Sequence, residues 1–247
     1  MRTGLMSKCL GFLLFSVLAG ATGLAQDFHK VYTIPAGGQI RISNISGDVR
    51  IEGYSGAGIV VDAFKTGRDR DLVTIEDLSS TGSVELRVRY PEHHHSNAGV
   101  NFEIKVPQSA EYNFEDIGSV SGNVSVWGVK GRMRAKSVSG NVDVKGISGL
   151  VNASSISGNV DVEMTAIGAP GEMKFSSISG DVTVRAPKTL DADIEMSTIS
   201  GSLRTDFPIE VREPRYGPGR SARGRLGNGA NNIRINSVSG RVSLIRF

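Results

Sequence analysis

The chain has 247 residues, a formal net charge of +3 and 39% hydrophobic residues. That length allows one or two domains with a sizeable core, and 21% charged residues exclude a disordered polyelectrolyte. Without Arg2 and Lys8, which lie in a leader-like segment, 26 Lys+Arg stand against 25 Asp+Glu, a balance that disfavours a basic nucleic-acid binder.

Residues 1–25 read as a secretory signal peptide. Arg2 and Lys8 form the positive start, Cys9–Leu18 the apolar stretch, and Gly23-Leu24-Ala25 a small-residue cleavage site before Gln26. The apolar run is too short for a comfortable transmembrane helix. Cys9 is the sole cysteine. A mature chain would have no thiol and no disulfide, and no membrane span.

Past residue 25 the chain holds 24 Val and 19 Ile against 8 Leu. β-branched side chains pack well on pleated sheets and lose freedom in helices. The composition therefore predicts an all-β fold. Residues 26–118 form a less regular β region. Its clearest apolar runs are Ile40–Ile42, Ile59–Val61, Val84–Val88 and Phe102–Val106. Pro91 and Pro107 close two of these strands. The segments Val84–Tyr90 and Val100–Val106 are expected to pair with each other across the loop between them.

Residues 119–247 form a repeat region. Seven segments of the whole chain share the pattern [ST]-[VI]-S-G-[DN]-[VL]-x-[VI], with some departures; the first begins with Asn44. Their turn glycines are Gly47, Gly122, Gly140, Gly158, Gly180, Gly201 and Gly240. Successive spacings are 75, 18, 18, 22, 21 and 39 residues. A period of 18–22 residues is the mark of a stacked repeat, with 39 and 75 read as about two and four periods. The fold class expected is a β-solenoid, similar to a parallel β-helix. Val142, Val144, Val160, Val162, Val182 and Val184 should stack inward, with Asp143, Asp161 and Thr183 outward. Glycine would supply positive φ at each corner, and Asn or Asp would hold the turn. The denser Gly-Gly-x-Gly-x-Asp pattern of calcium-binding rolls is absent from every copy. A Gly-, Pro- and Arg-rich stretch, residues 208–232, reads as an exposed loop.

The segments Ser121-Gly122-Asn123-Val124, Ser139-Gly140-Asn141-Val142, Ser157-Gly158-Asn159-Val160 and Ser179-Gly180-Asp181-Val182 carry a family likeness. By them the chain resembles a bacterial family of candidate adhesins with β-strand repeats, a group of unknown function. It is also similar to adhesin head domains named for a Gly-Ile-Asn motif. The resemblance covers most of Ile40–Phe247. It implies a β-solenoid-like body and an exported, non-enzymatic role, and it brings no catalytic residues. The copies at Gly201 and Gly240 depart from it, with Ser202 and Arg241 in the Asp/Asn position.

Candidate chemistry is sparse. Arg212, Arg215, Arg220, Arg223 and Arg225, with Tyr216 among them, make a basic cluster suited to carboxylate, sulfate or phosphate groups. It is the candidate contact site. His93, His94 and His95 beside Glu92 are a weak metal candidate, because consecutive strand residues alternate faces. The string Gly217–Ala222 fits G-x-G-x-x-A without a strand–turn–helix setting. Trp127 is more simply a packing residue than a sugar platform. Few aromatics and short strands argue against an outer-membrane barrel.

These readings predict an exported adhesin-like or cell-envelope scaffold protein that is not an enzyme and needs no cofactor. Its partner would be an envelope protein or a surface glycan, not nucleic acid. Location would be periplasmic, cell-surface or secreted. One alternative is a periplasmic regulatory or stress-associated module. Another is a glycan-active enzyme on a β-helix, with acids such as Glu103, Glu115 and Asp116 converging in a groove.

Overall fold

The structure, a computed structural model, describes residues 26–91, 96–212 and 218–247. Residues 1–25, expected as a signal peptide, and His93–His95, Arg215 and Tyr216 lie outside the described residues. Among those described, the fold is all-β, with a single 3-10 turn at Arg70–Leu72.

The strands follow the alternation of β-branched residues. In chain order they are β1 Phe28–Tyr32, β2 Gln39–Ser43, β3 Val49–Tyr54, β4 Ile59–Gly67, β5 Thr74–Asp77, β6 Ser83–Arg89 and β7 Ala98–Pro107. Next come β8 Tyr112–Ser119, β9 Val124–Trp127, β10 Gly131–Ser137, β11 Val142–Ser148, β12 Val151–Ser155, β13 Val160–Ala166 and β14 Glu172–Ser179. The last are β15 Val182–Ala186, β16 Ala192–Ser200, β17 Leu203–Thr205, β18 Val211–Arg212, β19 Arg220–Leu226, β20 Asn231–Ser239 and β21 Val242–Arg246. They form two long sheets. The first runs β1-β4-β7-β3-β9-β11-β13-β15-β21-β17; the second runs β18-β19-β16-β20-β14-β12-β10-β8-β2-β6-β5.

A coil of the solenoid is one strand of the second sheet, a Ser-Gly corner, and one strand of the first sheet. Strands β10 and β11 make one coil, β12 and β13 the next. Equivalent residues pair in parallel register: Val142 with Val160, Val160 with Val182, and Ser137 with Ser155. The six expected valines are buried, and Met133, Phe175 and Ile235 meet them from the second sheet. One hydrophobic cluster runs from Tyr32 to Leu244, between the sheets.

The corners of Gly122, Gly140, Gly158 and Gly180 are each held by three contacts. The first motif hydroxyl, itself buried, donates to the glycine carbonyl of the adjoining coil: Ser137 to Gly122, Ser155 to Gly140 and Ser177 to Gly158, each at 2.8 Å. The Asn side-chain oxygen accepts the backbone N–H of the next coil: Asn123 from Asn141, Asn141 from Asn159 and Asn159 from Asp181, each at 2.9 Å. Arg241 N donates to Asp181 at 2.7 Å, so the Asx chain stops where arginine replaces an acceptor. The glycine itself serves close approach. A Cβ on Gly140 would sit 2.2 Å from the Gly122 carbonyl oxygen. Of the seven motif glycines only Gly47 has positive φ, so a left-handed turn is not the general reason for glycine here.

Coil order departs from sequence order at both ends. Strands β20 and β21 insert between the coil β14–β15 and the coil β16–β17. Gly240 therefore abuts Gly180, and Gly201 abuts Gly240. Likewise β2–β3 lies next to β8–β9, and β6–β7 lies outside it. The spacings of 39 and 75 are thus excursions that form the ends of the stack, not runs of unseen periods. Strands β6 and β7 do not pair with each other. Each contributes its buried alternate residues to the same core from an opposite sheet, β6 beside β2 and β7 beside β3.

The ends are closed. Antiparallel β4 and β1 cover β7, β5 covers β6, and β19 and β18 cover β16. The outermost strands have only two to five residues, which limits edge-to-edge pairing. Much of the stretch expected as a loop at 208–232 is therefore sheet. In β19, Ala222 and Leu226 point into the core while Arg223 and Arg225 point out, an alternation hidden by its Arg and Gly content.

Candidate binding face

The outer face of the second sheet carries the candidate site. Strand β10 reads Gly-Arg-Met-Arg-Ala-Lys-Ser. Period-two alternation buries Met133 and Ala135 and turns Arg132, Arg134 and Lys136 outward, about 6.7 Å apart. Beside it β8 carries a bulge. Ile40 pairs with Phe114 but Arg41 with Asp116; Met133 pairs with Phe114 but Ala135 with Ile117. The extra residue sets Glu115 and Asp116 together opposite Arg41 and Arg134, and bulges recur where a strand re-aims side chains.

A shallow groove of about 680 Å³ lies over this bulge, lined by Arg41, Asn113, Glu115, Arg132, Arg134 and Asn152 among others. Through Arg134 and Asn152 it continues into a depression of about 450 Å³ over Ser154, Lys174 and Ser176. The trough crosses β8, β10, β12 and β14, about 14 Å at the usual strand spacing. Its floor is low because the outward residues of β12 are the short Asn152 and Ser154.

The charges in the trough divide into two sets. Arg41 donates to Glu115 and lies 3.5 Å from Glu85, and Lys136 Nζ is 2.7 Å from Asp116. Arg132, Arg134 and Lys174 have no acidic partner among the described residues. Asn152 Oδ1 accepts the Lys174 backbone N–H at 2.9 Å, and the Asn152 amide hydrogens have no partner among the described residues. The result is three cations without an ion-pair partner beside neutral donors, while Glu172 at the edge of the depression pairs with Arg234 at 2.8 Å. The R-x-R-x-K alternation of β10 was a readable signal for it; the bulge was not.

The arginines singled out from the sequence are placed differently. Arg225 makes a fork with Asp193 at 2.6 and 2.8 Å, and Arg223 pairs with Glu195. Those acids lie directly across the β16–β19 ladder. The Arg225 hydrogen bond holds the Asp193 carboxyl below its usual range. Arg220 donates to the Gly201 carbonyl at 2.9 Å, and Arg212 lies 3.3 Å from Glu210. Arg220, Arg223 and Arg225 are thus spent on holding the end strands, whereas Arg212 and Glu210 are two exposed residues of one segment. His29, the histidine outside the triplet, sits 2.5 Å from Asp62. Trp127 ends β9, half-buried, level with Glu52 and Lys145. Residues Arg220–Ala222 of the G-x-G-x-x-A string are strand, not a helix start.

The acids named for a hydrolase do not converge. Glu103 faces outward on β7 of the first sheet, whereas Glu115 and Asp116 lie on the second. No helix among the described residues is long and apolar enough to cross a membrane.

A family model described as Toastrack DUF4097 matches residues 31–245. No curated protein matches the chain. Among solved structures, a candidate cell adhesion protein from Clostridium sporogenes is 12% identical with a TM-score of 0.49, covering 89% of this chain and 98% of that one. A candidate adhesin from Bacteroides fragilis is 13% identical with a TM-score of 0.42, covering 89% and 96%.

Proposed function

This chain belongs to the Toastrack DUF4097 family, and from that premise we propose that it is an exported, non-catalytic, adhesin-like binding protein of the cell envelope. Its working surface is the trough on the second sheet, and its ligand is an acidic polysaccharide. The observation that carries this reading is the set Arg132, Arg134 and Lys174, unpaired over a floor of Asn152 and Ser154. Guanidinium forks match carboxylates, and amide and hydroxyl groups match sugar hydroxyls. The leader-like segment supports export. A binding role rather than hydrolysis is favoured because Glu115 and Asp116 are each held by a cation, and Glu103 faces away on the other sheet. Glycoside hydrolysis uses two carboxyl groups that flank one bond.

Calorimetry with polygalacturonate, and with neutral dextran as the comparison, tests this. Binding to polygalacturonate alone is expected, weakening as salt rises. Replacing Arg132 and Arg134 together by Ala should weaken it about tenfold, the scale of one or two charge-assisted hydrogen bonds. Equal binding of dextran, or no effect of the double substitution, overturns the proposal.

A further inference from the structure

The second residue of every motif copy is Val or Ile, and none of the seven is in the core. Ile199, Val238, Ile178, Ile156, Val138, Val120 and Ile45 are 38–53% exposed. Coil pairing sets them in that spatial order, one per coil. Thr198 and Ser200 pair with Ser237 and Ser239, Ser177 and Ser179 pair with the same two, and Ser137 pairs with Ser155 and Ser119. Ser139 N donates to Val120 O, Ser157 N to Val138 O and Ser179 N to Ile156 O, each at 2.8 Å, which locks the row to the ladder. Six steps of about 4.8 Å make an apolar ridge about 29 Å long. It stands at the corner between the sheets, apart from the trough.

The fold does not need this ridge. At the corners of Gly122, Gly140, Gly158 and Gly180 the hydroxyl, Asx oxygen and glycine are all used in coil contacts, whereas the Val or Ile side chain half faces solvent. Seven copies within one chain have kept a β-branched apolar residue at that position. A contiguous exposed apolar row marks an interaction surface.

We propose that the ridge is a self-association surface, occupied by a second copy of this chain in a two-fold, antiparallel arrangement. Charge supports that occupant. The Asx row beside the ridge reads Ser202, Arg241, Asp181, Asn159, Asn141, Asn123, Asp48 in spatial order, so a two-fold axis at Asn159 sets no two like charges of the row opposite each other. A two-fold axis through Ile156 sets Ile199 on the partner's Ile45 and Ile178 on the partner's Val138. It brings Arg241 within one coil of the partner's Asp48. An anionic lipid surface would call for basic residues along the ridge, and these rows hold only Arg241. A two-fold contact closes, so it yields dimers and not fibres. The strip is narrower than the 800 Å² per partner of a standard interface, so the dimer is weak and concentration-dependent.

Sedimentation velocity of the purified protein over a wide concentration range tests this. A monomer–dimer equilibrium is expected. Ile156→Asp, which changes both sides of the two-fold contact, should weaken it at least about tenfold. Arg241→Glu should weaken it less. Leu72→Asp, an equally exposed apolar site off the ridge, should leave it unchanged, and circular dichroism of each variant verifies folding. A monomer at every concentration overturns the proposal, as does a dimer that folded Ile156→Asp leaves intact. A monomer that sediments with phosphatidylglycerol vesicles through Ile156 would assign the ridge to lipid and overturn it equally.

Discussion

Ser137 Oγ donates to the Gly122 carbonyl at 2.8 Å, fifteen residues earlier in the chain and one coil away in space. The same bond recurs from Ser119 to Gly47, Ser237 to Gly180 and Thr198 to Gly240, each at 2.9 Å. Ser137 is 4% exposed, so water cannot replace its hydroxyl cheaply. Ser137→Ala should cost about 1–2 kcal/mol, the range for a buried hydrogen bond with one partner removed. Urea titration should show a lower midpoint with an unchanged slope. An unchanged midpoint would mean that the corner does not depend on this bond.

The glycine beside it is constrained by space. A Cβ on Gly140 would meet the Gly122 carbonyl oxygen at 2.2 Å and its carbon at 2.6 Å, and neither belongs to a movable side chain. Gly140→Ala should therefore cost about 3 kcal/mol or more, at the upper end for single substitutions. Gly82→Ala meets nothing within 4 Å and should change stability little. Equal thermal shifts for the two variants would contradict the close-approach argument.

The far end of the stack carries a pH-sensitive clamp. Lys30 Nζ lies 2.6 Å and Tyr32 Oη 3.0 Å from Asp77 Oδ2, which ties the outermost strand of the first sheet to that of the second. Burial pushes the Asp77 carboxyl up, but hydrogen bonds from Lys30, Ser79 and Tyr32 outweigh it and hold it at about 2. The unfolded chain binds the proton more readily, so stability rises with pH across this window. The contribution is complete above about pH 4 and disappears as pH falls through 2. Melting temperature measured between pH 2 and 5 should climb more steeply for the native chain than for Asp77→Asn. Parallel curves would exclude the clamp.

Two arginine sets should separate in a binding assay. Arg134→Ala should reduce polygalacturonate binding, because that guanidinium is unpaired over the trough. Arg225→Ala should leave binding as it was, because Arg225 is spent on Asp193. The reverse result would return the contact site to the end strands.

The arginines show where sequence reading stops. Composition marks both sets as basic. Only the ladder places Asp193 and Glu195 across from Arg225 and Arg223, more than two dozen residues away in the chain. The bulge at Glu115–Asp116 is equally silent in sequence, because one inserted residue in a strand has no distinctive composition.

Local patterning in the sequence carries the all-β class and the inward and outward faces of the Val- and Ile-rich strands, though not those of β18 and β19 in the stretch expected as a loop. Period-two alternation of Val and Ile is a local property that any sheet must obey. It also determined the corner, since the same hydroxyl, glycine and Asx recur wherever one coil stacks on another. Coil order was decided by the tertiary structure alone. Every corner presents the same donor and the same carbonyl, so the motif at Gly240 fits against Gly180 as well as the motif at Gly201 would. The choice falls to the ends of the stack. There β16 takes antiparallel β19 on one side and β20 on the other, which places the last coil of the chain inside the stack.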